Sequence, residues 1–181
     1  MEGVLKAYKV FQYLKVIGVW VSGISVLVMM FFISYDVFVR NVFSGSIRGG
    51  FEIVQNYLMP LVVFPSLAYV YSSGVLPKMD LIMDKLGARM KKGLIFMMLL
   101  IELFILALIV QFSWEFAMNG LERKTAFPAA GTMYPLYPLF FMIPIAFAMI
   151  FIENIFILIR NLKEEKASLL VIDKSGELEG F

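Results

Sequence analysis

Four apolar runs divide the chain, at about residues 16–39, 51–71, 93–116 and 136–159. Each approaches or exceeds the roughly 20 apolar residues that cross a bilayer as a helix. Charged residues gather mostly between and beyond them. The first run is longer than the ~7–15-residue apolar core of a signal peptide, and it ends in YDVFVR, not in small residues suited to cleavage. It reads as a retained helix. The pattern predicts an all-α integral membrane protein of four transmembrane helices. Residues 1–15 form a polar, basic N-terminus, 16–160 the membrane domain, and 161–181 a polar tail of mixed charge.

Within the runs, small and breaking residues give further detail. Gly18, Ser22 and Ser25 share one helical face, and small residues let membrane helices approach closely. Pro60 and Pro65 in the second run, and Pro144 in the fourth, each remove a backbone donor and predict bends. Residues 73–92 (SGVLPKMDLIMDKLGARMKK) place Met79, Ile82, Met83 and Leu86 at helical spacing among charges. This predicts an amphipathic helix lying in the membrane interface between the second and third spans. Residues 117–135 read as a long loop, and the run that follows begins with Pro138 near its start.

Lysine and arginine counts set the orientation. The two termini and the 73–92 segment together hold twelve; the 40–50 turn and the 117–135 loop hold four: Arg40, Arg48, Arg123 and Lys124. Both termini are therefore expected on the cytoplasmic side. The other two segments are expected outside, which in a Gram-negative bacterium is the periplasm.

Composition then narrows the function. Hydrophobic residues make up 61% of the chain, more than a soluble domain this size can bury. Net charge is +2, which gives no footing for nucleic acid. The chain has neither cysteine nor histidine. That removes thiolate and imidazole metal sites, histidine-ligated haem and the Ser–His or Cys–His nucleophiles. No cofactor and no enzymatic activity are expected.

The polar residues that remain fall into two groups. Asp36 and Arg40 are spaced to pair on one helical turn. With Arg48 and Glu52 they form a candidate outer network. Glu102 and Glu153 lie inside the third and fourth runs, in the inner half of the bilayer. Intramembrane acids are costly and mark functional or structural polar contacts. They are expected to face each other, to pair with Lys15 or Gln12, or to meet a basic group on a partner. No basic residue is clearly placed beside them to complete a relay, which favours structural contacts. Trp20, Trp114, Tyr134 and Tyr137 read as interfacial anchors.

The outer turn VFVRNVFSGSIRGGFEIVQ, the segment PKMDLIMDKLGARMKKGL and the stretch GTMYPLYPLFFMIPIAFAMIFIENIFILIR carry a resemblance. In order and spacing they resemble the small membrane subunit (DctQ type) of tripartite ATP-independent periplasmic, or TRAP, transporters. The likeness covers about residues 16–160. Gly49, Gly50 and Phe51 depart from the family pattern, which often has Trp or Ser before the helix-two Glu.

The resemblance implies an accessory scaffold subunit in the inner membrane. Its partners would be a large multi-spanning subunit holding the substrate and sodium sites, and a periplasmic binding protein delivering a small organic anion. Arg40, Arg48, Glu52, Arg123 and Lys124 would face the binding protein. The alternative is a stand-alone four-helix exporter or channel acting as a homodimer, with Glu102 facing its pore.

Overall fold

The computed structural model describes residues 2–43, 45, 47–73 and 88–163. Among these, four helical stretches are long and apolar enough to cross a membrane. Helix α1 runs Glu2–Phe43. Helix α2 runs from Gly50 to Ser72 and changes pitch on the way. Helix α3 is Ala88–Glu122. A hairpin follows, of strands β1 (Ala126–Ala129) and β2 (Thr132–Pro135). The one-turn helix α4 (Tyr137–Phe140) then leads into α5 (Met142–Lys163).

Helix α1 extends well beyond the apolar run expected at 16–39. Hydropathy marks the part of a helix suited to lipid; backbone hydrogen bonding continues the helix past both boundaries. The same holds at α3, whose start takes in Ala88–Lys92, the end of the expected interfacial helix. The rest of that expected helix, residues 74–87, lies outside the described residues, as does the tail from 164.

The prolines act on α2 in two ways. Pro60 lacks the N–H that would continue the α ladder, and the turn before it widens to a π-helix over Val54–Leu58, the usual form of such an insertion. Pro65 frees the Leu61 carbonyl, one turn earlier. The Ser22 hydroxyl of α1 donates to that carbonyl at 3.5 Å. The Gly18 and Ser22 face of α1 thus packs on α2 at its proline. A Cβ at Gly18 would lie 2.0 Å from the Pro65 carbonyl oxygen, so glycine is what permits the contact.

Neighbouring helices pack in the order α1–α2–α5–α3. Helix α5 is the most enclosed of the spans, and α1 and α2 are the least. Two apolar clusters fill the interior. One joins Tyr8, Phe11, Ile95, Leu99 and Ile157 at the end where α1 begins and α5 finishes; the other joins Ala68, Leu106 and Ile150.

The segment expected as a loop at 117–135 is mostly ordered backbone. Helix α3 continues to Glu122 and closes with two reverse hydrogen bonds, Lys124 N–H to Leu121 O and Thr125 N–H to Gly120 O. This is the Schellman arrangement, whose left-handed residue is usually glycine. Here it is Lys124, at φ 49. The antiparallel strands pair Ala126 with Pro135 and Ala129 with Thr132. Ala130 and Gly131, at φ 52 and 83, make the turn, as a two-residue hairpin requires. AFPA lacks the alternating apolar pattern of a strand, so sequence periodicity had no signal there.

Candidate functional site

Polar chemistry collects at the two ends of the bundle. At the end bearing the α1–α2 turn, Asp36 accepts from the Arg40 guanidinium at 2.7 Å and from the Ile47 N–H at 2.9 Å. One carboxylate therefore holds both the last turn of α1 and the chain after it. Gly49, in the left-handed region at φ 77, redirects the chain into α2. A Cβ there would lie 2.5 Å from the Ala130 nitrogen, so the turn seats directly against the hairpin tip. Tyr57 donates its hydroxyl to the Pro135 carbonyl at 2.5 Å, and its ring meets Phe127, which stacks on Tyr134.

The result is a cavity of about 520 Å³. Asp36, Arg40, Arg48 and Glu52 line it together with Phe32, Phe51 and Met59. Arg40 is 64% exposed although paired. Arg48 is also exposed, and Glu52 is half-buried. The four charged residues expected in an outer network thus share one wall-and-mouth arrangement. Arg123 and Lys124 are exposed beyond the end of α3; they do not line this cavity.

The opposite end is built differently. Glu153 of α5 is fully buried. Its Oε2 accepts from Lys15 Nζ at 2.8 Å and its Oε1 from the Tyr8 hydroxyl at 3.0 Å. Lys15 is itself 2% exposed and lies over the rings of Tyr8 and Phe11 at 5.1 and 5.2 Å. This corrects the expectation that no basic residue stands beside the intramembrane acids. Lys15 was among the expected partners, and the fold gives it to Glu153.

Glu102 receives a different donor, the Tyr71 hydroxyl of α2 at 2.6 Å. Asn154, beside Glu153, is buried with neither amide atom hydrogen-bonded.

Tyr8 and Tyr71 are the residues that sequence reading missed. Tyr8, Phe11 and Lys15 stand at i, i+3 and i+7, one face of a helix, and that spacing was a usable signal once α1 is extended back to Glu2. Tyr71 carried none, because its contact lies across two helices. Among the described residues, no cluster of acids is able to hold a metal ion.

Comparison with curated proteins and with solved structures returned no match. The match that exists is to a family: residues 29–164 fit the description "Tripartite ATP-independent periplasmic transporters, DctQ component". That stretch runs from the later part of α1 through the end of α5 and includes the α1–α2 turn, Glu102, Glu153 and the hairpin. On the strength of a match covering most of its length, this four-span chain belongs to the DctQ family, the small membrane subunits of TRAP transporters.

Proposed function

We propose that this chain is the non-transporting scaffold subunit of a sodium-coupled TRAP importer of a small organic anion. In this reading it braces the large elevator subunit in the bacterial inner membrane and helps receive the periplasmic binding protein. Both termini face the cytoplasm. The outer turn and the hairpin face the periplasm.

The observation that supports docking most directly is the outer cavity. Its charged side chains stand on backbone that is held by Asp36, Gly49 and the hairpin. A rigid backbone with accessible charges suits the reception of a soluble partner, because rim charges govern encounter and register more than raw affinity. Lys124 adds to this. A non-glycine residue in the left-handed region costs about 1–2 kcal/mol. Its charge there stands exposed beside Arg123 at the end of α3.

The test is reconstitution. The tagged chain, co-expressed with the large subunit and purified in mild detergent, is expected to give a 1:1 complex. Liposomes holding that complex are expected to take up substrate only with binding protein and a sodium gradient. Uptake by this chain alone, or its purification solely as a self-dimer, would overturn the proposal in favour of the homodimeric exporter or channel. The cysteine-free sequence makes orientation simple to check. Arg48→Cys is expected to label from the periplasmic side with an impermeant maleimide, and Lys92→Cys only after permeabilisation.

A further inference from the structure

The two intramembrane acids are not equivalent, and the difference locates an interface. Glu153 is completed within the chain by an ammonium, a hydroxyl and full burial. Glu102 is not. A carboxylate offers about four lone-pair positions, and the Tyr71 hydroxyl is its one hydrogen-bond partner among the described residues. Its side chain is only half-buried.

The surroundings make that incompleteness costly. Glu102 is the only charged residue between Lys92 and Glu115, with nine apolar or glycine residues before it and eight apolar ones after. It sits at the edge of the packed face of α3. Ile95, Leu99 and Leu106 on one side of it are buried; Met98, Ile101 and Ile105 on the other are 38%, 52% and 49% exposed. The open side of the carboxylate therefore looks along an apolar helix surface. Hydrocarbon supplies no donor to a carboxylate, and intramembrane acids accordingly turn to protein or pair with one another.

Helix α1 provides the contrast. Its exposed residues between Lys15 and Asp36 include no charged side chain, so that surface presents no carboxylate short of donors. The surface of α3 around Glu102 does.

From this half-made site we infer that the α3 face of Met98, Ile101, Glu102 and Ile105 is where the large membrane subunit docks, and that a cationic side chain of that subunit completes the Glu102 carboxylate. The occupant is a transmembrane helix carrying a lysine or arginine at the depth of Glu102. It does for Glu102 what Lys15 does for Glu153. The inference rests on the scaffold reading and adds the contact face and the chemistry of the contact.

The test uses the co-expressed complex. A photo-crosslinking residue at Ile101 or Ile105 is expected to give an adduct with the large subunit, and the same residue at Ile24 or Val28 on α1 is not. Glu102→Gln, which keeps an acceptor for Tyr71 but removes the charge, is expected to lower recovery of the complex at least fivefold. Tyr71→Phe, which loosens the internal contact alone, is expected to stay within twofold of wild type. The chain alone serves as the control for folding: Glu102→Gln should elute from gel filtration as wild type does.

Adducts to a second copy of this chain, or to the large subunit from α1 and not from α3, would overturn the inference. So would equal recovery of Glu102→Gln and wild-type complex, or equal losses in Glu102→Gln and Tyr71→Phe. Failure of the wild-type chain to bind any large subunit would instead remove the scaffold reading itself.

Discussion

The two ends of this bundle use charge in opposite ways. At the end holding Lys15 and Glu153, charge is buried and fastens the first helix to the last. At the end holding Asp36, Arg40 and Arg48, backbone devices do the fastening: a left-handed glycine, a hairpin, and a tyrosine bonded to a carbonyl. There the arginines stay exposed. Charge spent on holding helices together is unavailable to a partner, and charge left in solvent contributes little to stability. On the proposed reading, one end serves assembly and the other recognition.

The strongest way to break this contrast is to remove one half of the buried pair. Lys15→Met strands Glu153 in an apolar interior, and losing one partner of a buried pair costs roughly 3–5 kcal/mol. Thermal unfolding in detergent should show a large fall in midpoint. Adding Glu153→Leu should recover most of it, because a well-packed apolar pair often replaces a buried ionic one without loss. No recovery in the double variant would mean that the pair is needed for more than fastening.

The hairpin end should respond to backbone changes. Gly49→Ala forces a Cβ into the left-handed region, a cost of about 1–2 kcal/mol, and against the Ala130 nitrogen. We expect a moderate drop in thermal midpoint together with weaker capture of the binding protein. A variant with normal capture would separate the turn from the docking role.

Within the Asp36–Arg40 pair the two partners should differ. Asp36→Ala leaves the Ile47 N–H without its acceptor, worth about 1 kcal/mol. Arg40→Ala removes an exposed pair member, worth under about 1 kcal/mol, and should act mainly on the rate of binding-protein association and its salt dependence. Comparing the melts with stopped-flow association at two ionic strengths checks both. Equal stability losses would place Arg40 among the fasteners.

The smallest change sharpens the comparison most. Lys124→Gly relieves the left-handed backbone and should raise stability by up to about 1 kcal/mol, while slowing capture of the binding protein. If it raises both stability and capture, the charge at 124 has no docking role.

Much of this was legible in residue order. Four runs of apolar residues specify a four-span helical membrane protein, because the hydrophobic requirement of a span is a property of consecutive residues. The small-residue face at Gly18 and Ser22, and the prolines at 60 and 65, were visible for the same reason: each acts on its own helix first. The Asp36 and Arg40 spacing placed two charges on one turn without knowledge of any other element.

The tertiary structure decided what pairs with what. Lys15 lies 138 positions from Glu153, and Tyr71 meets Glu102 from another helix. No local pattern encodes such contacts, since they depend on the order in which helices pack. The hairpin was invisible because AFPA and TMYP carry no strand periodicity; it is held by paired backbone and by its seat on Gly49 and Tyr57. The sequence determined that two acids lie within helices long and apolar enough to cross a membrane. Only the packing decided that one is finished inside the chain and that the other is left open at its surface, because burial and partnership belong to the surroundings of a side chain and not to its place in the sequence.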